Sequence, residues 1–450
     1  MSDGEGKGDD GVDGDREAGF GSPVDPEQRR PLRTDLTPIV EAVRAADADA
    51  FVAVGDRFDD DLRYLTRVVG PEREYALVVV PGDGGSDADR AVLCVPPPFR
   101  EQAEREFVAG ARSRRDGDGE FHDGVAREVR IEGADDHAGE RAAAVVRDLL
   151  GGADDQTLLV PASIPHDAAV YLERAGNELA STDAVATARA RKTDAEIDRL
   201  RRVQRAAVAG MARAETVLAE SEVVEAGPAE TGDADHRHPL RWDGTPLTTE
   251  RLRRVVNATL AAHGVRDAGD TAIGVGPSAA DRHYVGDDPI RPGRTVLIAI
   301  SPRGPDGYRG ELTRTFVVDG DGGWGRRAYL AVESARDVAL DGIEPGVPAK
   351  TVHGEAAAEL GAYGFDPNAG EGEAGFTHDA GHGVGVSRRE PPSLSGAAEL
   401  RPGQVVAVGP GVYDPGIGGV RLGDLVAVTE DGCELLAEYP LGIVPRERGG

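Results

Sequence analysis

The residues best suited to chemistry lie in the second half of the chain, in short glycine-flanked strings. Phe376-Thr-His-Asp-Ala-Gly-His-Gly-Val-Gly-Val carries His378 and His382, and the glycines on either side of His382 let its backbone approach a neighbouring strand. Gly310-Glu-Leu-Thr-Arg-Thr-Phe supplies Glu311 and Arg314, and Gly419-Val-Arg-Leu-Gly-Asp supplies Arg421 and Asp424. His283-Tyr284, Arg389-Glu-Pro-Pro and Gly409-Pro-Gly-Val-Tyr, ending at Tyr413, complete the set. Such side chains can line a ligand pocket, with His382 as hydrogen-bonder and the Arg389 guanidinium suited to a carboxylate. The blander alternative for Arg389 is a surface pair with Glu390. Glu311, Arg314, Arg421 and Asp424 can also form one buried ion network. His283 reads equally as a pocket donor or an exposed loop residue, and His378 as a satisfied core histidine. His236-Arg-His238 has chelate-like spacing, but in a hydrophilic loop with no nearby cysteine it is more often solvated.

These strings need a scaffold of strands and helices. Thr193 and Glu196 have capping-box spacing ahead of Ile197, Leu200, Val203 and Met211, which fall on one helical face and mark a domain start. Further helices are expected at Thr249–Ala262, stopping at Gly264, and around 326–340 and 349–360. Strand-like runs lie at 296–300, 312–318, 405–408 and 425–428. Upstream, a helix around 39–46, strands at Ala50-Phe-Val-Ala-Val, Tyr75-Ala-Leu-Val-Val-Val and Thr157-Leu-Leu-Val-Pro, and a helix after His166 describe an α/β layer. Residues 1–30 are Gly/Asp-rich with few large apolar side chains and read as a disordered acidic tail. The expected domains are therefore 31–185 and 186–445.

The charge balance narrows the partners. With 51 Lys plus Arg against 81 Asp plus Glu the formal net charge is −30, which argues against nucleic acid or an anionic membrane surface. Lysine occurs only at Lys7, Lys192 and Lys350, so nearly all the basic residues are arginine, and aromatics make up 4%. This suits a halophilic cytoplasm, where a dense carboxylate surface stays hydrated under strong screening; an Arg-, Ala- and Gly-favouring genome predicts much the same composition. Cys94 and Cys433 lie far apart in strand-like segments and read as small buried residues of a reducing compartment. No apolar run is long enough to span a bilayer, so a cytoplasmic location is expected.

Taken in order, His283-Tyr284, Gly310-Glu-Leu-Thr-Arg-Thr-Phe, the His378/His382 string, Arg389-Glu-Pro-Pro, Gly409-Pro-Gly-Val-Tyr and Gly419-Val-Arg-Leu-Gly-Asp resemble the creatinase, prolidase and methionine-aminopeptidase clan over roughly residues 190–437. The segment 49–93 resembles the domain that precedes this fold in Xaa-Pro peptidases and creatinase. The resemblance implies an α/β N-terminal domain followed by an α+β pita-bread domain, a homodimer, and the label Xaa-Pro dipeptidase or aminopeptidase. Active members hold two divalent metals, such as Mn or Co, on five side chains, with carboxylates bridging the cations.

Carried over position by position, the first family Asp falls on Ala299, the second on Glu311 and the His on His382, while the two Glu fall on Gly409 and Gly423. Two of five donors remain, so no metal cofactor is expected. The readings are a non-catalytic or metal-independent member binding a peptide or small carboxylate in the cleft, an active Xaa-Pro peptidase, and a metal-free creatinase-like amidinohydrolase using His283. For the last, the substrate-holding glutamates fall on Thr313 and Leu422.

Overall fold

The computed structural model describes residues 31–448 apart from 83–87, 110–122, 132, 134–135, 153–154, 225–236 and 371. The acidic stretch 1–30 and His236 lie outside the described residues.

Strands β1 (Ala50–Gly55), β2 (Tyr75–Val80), β3 (Arg90–Val95), β4 (Ala126–Ile131), β5 (Thr157–Pro161) and β6 (Glu178–Thr182) form a sheet in the order β4-β3-β2-β1-β5-β6. β1 and β2 are buried along their whole length. Their alternate residues feed two cores, one with the helix Thr37–Ala45 and one with the helices Ala138–Leu149 and His166–Arg174. Covering both faces turns a strand into a continuous apolar run, which is why these strands were legible in sequence. β4 and β6 sit at the edges, half-buried or exposed, and carry no such run.

The helix Asp194–Ala219 begins with the expected capping box: Glu196 N–H donates to Thr193 Oγ1, and Thr193 N–H to Glu196 Oε2 at 2.7 Å. Leu200, Val203 and Met211 are buried, as the periodicity requires. A small hairpin, β7 (Arg241–Trp242) and β8 (Thr245–Pro246), leads to the helix Thr249–Ala262, which ends before Gly264 at φ +75°. Both helices cover β9 (Ala272–Val275), β10 (Thr295–Ile300) and β11 (Leu312–Val317), an antiparallel sheet ordered β11-β10-β9.

The helices Gly323–Asp341 and Ala349–Ala362 cover a second sheet. It contains β12 (Gly381–Gly383), β13 (Glu390–Ser393) and β14 (Val405–Val408). Past the ribbon β15 (Gly411–Asp414) and β16 (Gly418–Arg421), it continues with β17 (Asp424–Val428) and β18 (Cys433–Leu435), in the order β13-β12-β14-β17-β18. A bridge between Thr313 and Gly423 joins the two halves. Cys94 is buried in β3 and Cys433 half-buried in β18, with no disulfide between them. No described helix is long and apolar enough to cross a membrane.

The N-terminal sheet is tied to this body by buried charge. Arg67 and Tyr308 both donate to Glu196 Oε1, at 2.9 and 2.6 Å, and Arg303 pairs with Asp60 at 2.6 Å.

Candidate functional site

Side-chain alternation sorts the candidate residues onto opposite sides of the strands. Arg314 turns to one side, where its Nη2 lies 2.7 Å from Asp424 Oδ1, while Arg336 Nε reaches Asp424 Oδ2 at 2.5 Å. Glu311 turns to the other and pairs through Oε1 with Arg421 Nη2 at 3.2 Å. The single network expected of Glu311, Arg314, Arg421 and Asp424 is therefore two networks back to back. Arg314 stands an odd number of residues from Glu311 at the entry of β11, and Arg421 ends β16 whereas Asp424 opens β17, so the two are carried by different strands.

The Glu311 side is the cleft. Its backbone is held by Gln204, whose side chain accepts from Glu311 N–H and donates to Glu311 O, both at 2.9 Å. Ala299 lies opposite Thr313 in the β10–β11 register, and Thr313 bridges Gly423. A Cβ added at Gly409 would lie 3.3 Å from Gly423 Cα and 3.0 Å from both Nε and Nη2 of Arg421. Arg421 Nε donates to Gly409 O at 3.1 Å. Positions 311 and 409 thus meet at one guanidinium, with Gly423 beside Gly409, His382 beside Glu311 and Ala299 across the strand pair from Thr313. The Arg421 guanidinium lies where a side chain at 409 would project.

His382 stands where β12 is squeezed between β13 and β14. A Cβ on Gly381 would come within 1.9 Å of Ala407 O and one on Gly383 within 2.3 Å of Pro391 O, so both flanking glycines are required by close approach. The His382 ring donates from Nδ1 to Gly383 O at 3.1 Å, which leaves Nε2 facing Glu311 Oε2 at 3.9 Å. Glu311 is 5% exposed, and its Oε2, like Thr313 Oγ1, has no hydrogen-bond partner. Burial alone would raise the Glu311 pKa. The charges of His382, Arg421 and Arg388 and the Arg421 hydrogen bond outweigh it and hold the carboxyl below the ordinary glutamate value.

His378 belongs to a row of tilted and edge-on rings, His353, Phe376, His378 and Tyr413, with successive centroids 5.5, 5.2 and 5.4 Å apart. Its Nδ1–H donates to Asp379 O at 2.7 Å, and its Nε2 accepts from Tyr413 O–H at 2.9 Å. Burial first, then the charges of Arg421 and Arg282, push its pKa well down, so it is a neutral, satisfied histidine. Tyr413 is buried and its pKa raised by that burial.

Arg389 does not pair with Glu390. It is exposed and holds Asp379 Oδ2 at 3.0 Å, whereas Glu390 is buried against Lys192 Nζ at 2.9 Å. His283 is exposed at the rim, its backbone N–H bonded to Asp281 Oδ1 at 3.0 Å. His238 is exposed in the loop after residue 236. Sequence reasoning missed Arg282, Arg388, Asp379 and Gln204 as neighbours of the site; for Arg282 the signal was its place beside His283. Among the described residues, the one group of three side chains with metal-donating atoms close together is Glu74, His137 and Asp167, in the N-terminal sheet unit. There His137 Nδ1 accepts from Gly139 N–H, so Nε2 carries the hydrogen that faces the two carboxylates at 3.2 and 3.0 Å.

The profile of metallopeptidase family M24 matches residues 198–430, more than half of the chain, and the chain belongs to that family. The Xaa-Pro dipeptidase of Pyrococcus furiosus is 34% identical over 176 residues, which cover 38% of this chain and 48% of the relative. The chain spans about half the length of the curated relatives it matches. Among solved structures, the prolidase from Pyrococcus furiosus superposes with a TM-score of 0.68 at 21% identity, covering 89% of this chain and 100% of that one. The Xaa-Pro dipeptidase from Bacillus anthracis gives 0.71 at 21% identity, covering 91% and 98%. At such identities the likeness carries the fold: an N-terminal α/β unit followed by the pita-bread body.

Proposed function

We propose that this chain is a family M24 protein whose cleft has exchanged a dinuclear metal site for a cationic one, and that it binds a peptide or small carboxylate there without the family's metal chemistry. The observation that carries the reading is Arg421, hydrogen-bonded to Glu311 Oε1 and to Gly409 O, with its guanidinium 3.0 Å from where a Cβ at 409 would stand. A dinuclear site needs carboxylates that bridge and neutralise two dications, and even one catalytic zinc-type ion takes about three protein ligands. Glu311 and His382 are two donors, and a guanidinium already occupies one oxygen of the only carboxylate. These residues do not fit a pair of Mn or Co ions.

A second reading, an active Xaa-Pro dipeptidase or aminopeptidase, is favoured by the names of the relatives. The creatinase-like reading gains nothing: Thr313 and buried Leu422 stand at the positions of the glutamates it requires. The deciding experiment is metal content by mass spectrometry with hydrolysis of Xaa-Pro dipeptides, with and without chelator, in concentrated KCl. The proposal expects substoichiometric metal and no chelator-sensitive hydrolysis. Two metals per chain, or hydrolysis abolished by chelator, would establish the second reading instead.

On resemblance, we further read 31–185 and 186–445 as the two domains and the chain as a cytoplasmic homodimer whose first domain takes part in the interface. A monomer by light scattering at high salt would sink the dimer.

A further inference from the structure

The cations around the cleft are almost all spoken for. Arg388 pairs with Asp270 at 2.9 Å, Arg389 with Asp379 at 3.0 Å and Arg421 with Glu311 at 3.2 Å. Arg282 differs: it is half-buried, and among the described residues it makes no hydrogen bond or ion pair. In a chain with a net charge of −30, a guanidinium partly withdrawn from water without a carboxylate is costly unless something else supplies the counter-charge.

Its position is set by the fold. The turn Gly276–Ala280 packs its Ala279 into the small cluster that contains Ala299 and Tyr413, at the cleft. The next residue, Asp281, ties the turn together: its side chain accepts from His283 N–H at 3.0 Å and its carbonyl from Tyr284 N–H at 3.2 Å. The nearest acid in sequence thus anchors the loop and makes no ion pair with Arg282. The ring of His283, next along the chain and exposed, also has no hydrogen-bond partner. Arg282 follows Ala279 by three residues and so stands at this side of the cleft, and its charge lowers the pKa of His283 and His378 after burial has done so. Arg389, the residue that sequence singled out for a carboxylate, is exposed and already neutralised by Asp379.

We propose that Arg282, with the unpartnered ring of His283 beside it, is the subsite for an oxyanion carried by the cleft ligand, a carboxylate or a phosphate, bound through the planar fork of the guanidinium. The proposal deepens the reading of the cleft as a metal-free binding site and rests on it.

The test is calorimetric titration of the full chain, in chelator and at one fixed salt concentration, with succinate and separately with inorganic phosphate. At least one probe should bind; Arg282→Gln should weaken it tenfold or more, and Arg282→Lys should recover part of the loss. Binding of succinate alone assigns a carboxylate, and of phosphate alone a phosphate. The melting temperature of the Gln variant should be no lower than that of the parent, since Arg282 makes no internal bond and its charge is uncompensated in the free protein. Failure of the parent to bind either probe, or equal binding by parent and Gln variant, would overturn the proposal. Metal content of the same preparation before chelation is read separately. Two metals per chain alongside Arg282-dependent anion binding would refute the metal-free reading and leave the oxyanion subsite standing.

Discussion

Arg421→Met removes the guanidinium at the centre of the cleft and leaves its shape otherwise close to intact. Two hydrogen bonds go with it, to Gly409 O at 3.1 Å and to Glu311 Oε1 at 3.2 Å. Glu311, 5% exposed, is left with one oxygen newly unpaired and the other already so, and with His382 Nε2 at 3.9 Å and the charge of Arg388 as compensation. Stranding a fully buried charge costs about 3–5 kcal/mol. The Arg421 side chain is 13% exposed, so water can reach part of the space, and about 2–4 kcal/mol is the expected loss at neutral pH. Adding Glu311→Gln removes the stranded charge, so the double variant should cost less than the sum of the singles, with a coupling of about 1–3 kcal/mol. Acidity supplies a second signature. Because the folded Glu311 pKa is depressed, its contribution is present above the ordinary glutamate pKa and is lost as pH falls through the lowered value. The stability gap between parent and Arg421→Met should therefore narrow on acidification and stay nearly constant when Glu311 is Gln in both. Chemical denaturation at fixed KCl, at neutral pH and at several acidic pH values, measures all four proteins. Costs that add within about 0.5 kcal/mol, or a gap that ignores pH, would refute the assignment of Arg421 as the counter-ion of Glu311.

Ala299→Asp, Glu311→Asp, Gly409→Glu and Gly423→Glu together should create a divalent-metal site read by titration with Mn²⁺ or Co²⁺. The new Cβ at 409 meets the Arg421 guanidinium at 3.0 Å and Gly423 Cα at 3.3 Å, and that at 423 meets Thr313 Cβ at 3.2 Å, so the apo variant should be less stable than the parent and regain stability with metal. A folded variant that binds no more metal than the parent would show a remodelled cleft. Asp59, whose side chain caps the helix Asp60–Thr66, is pushed up to about 6 by burial above all. A raised carboxyl makes the folded state bind more protons between the ordinary value and pH 6, so stability falls as pH rises through that window. Asp59→Asn keeps a competent cap and should be about 1–2 kcal/mol more stable than the parent at pH 8, with the difference gone near pH 4; an equal difference at both would exclude the titration. Finally, the net charge of −30 predicts a melting temperature that climbs steeply as KCl is added, and a flat profile would favour genome composition as the source of the acidic bias.

The sequence by itself determined the family body and its local punctuation. The Thr193/Glu196 box, the stop at Gly264 and the apolar runs of β1, β2, β5 and β10 are local signals, written by capping geometry and by burial on both faces, and each lies where the residues indicated. The edge strands β4 and β6 and the helix Ala138–Leu149 escaped notice because half-exposed elements need no continuous apolar pattern. In the cleft, residue types were legible and partnerships were not. Ala299, Gly409 and Gly423 in place of carboxylates can be read from the string, but that Arg421 lies where a side chain at 409 would project cannot. Nor could the division of Glu311–Arg421 from Arg314–Asp424–Arg336, the pairing of Arg389 with Asp379, or the isolation of Arg282. Charge pairing depends on which side of a strand a residue faces and on which loop folds over it, and long arginine side chains can reach any of several carboxylates until packing removes the alternatives. Only the convergence of two sheets, through the Thr313–Gly423 bridge and the tight passage of β12 between its neighbours, decided which guanidinium met Glu311 and which one was left without a counter-charge.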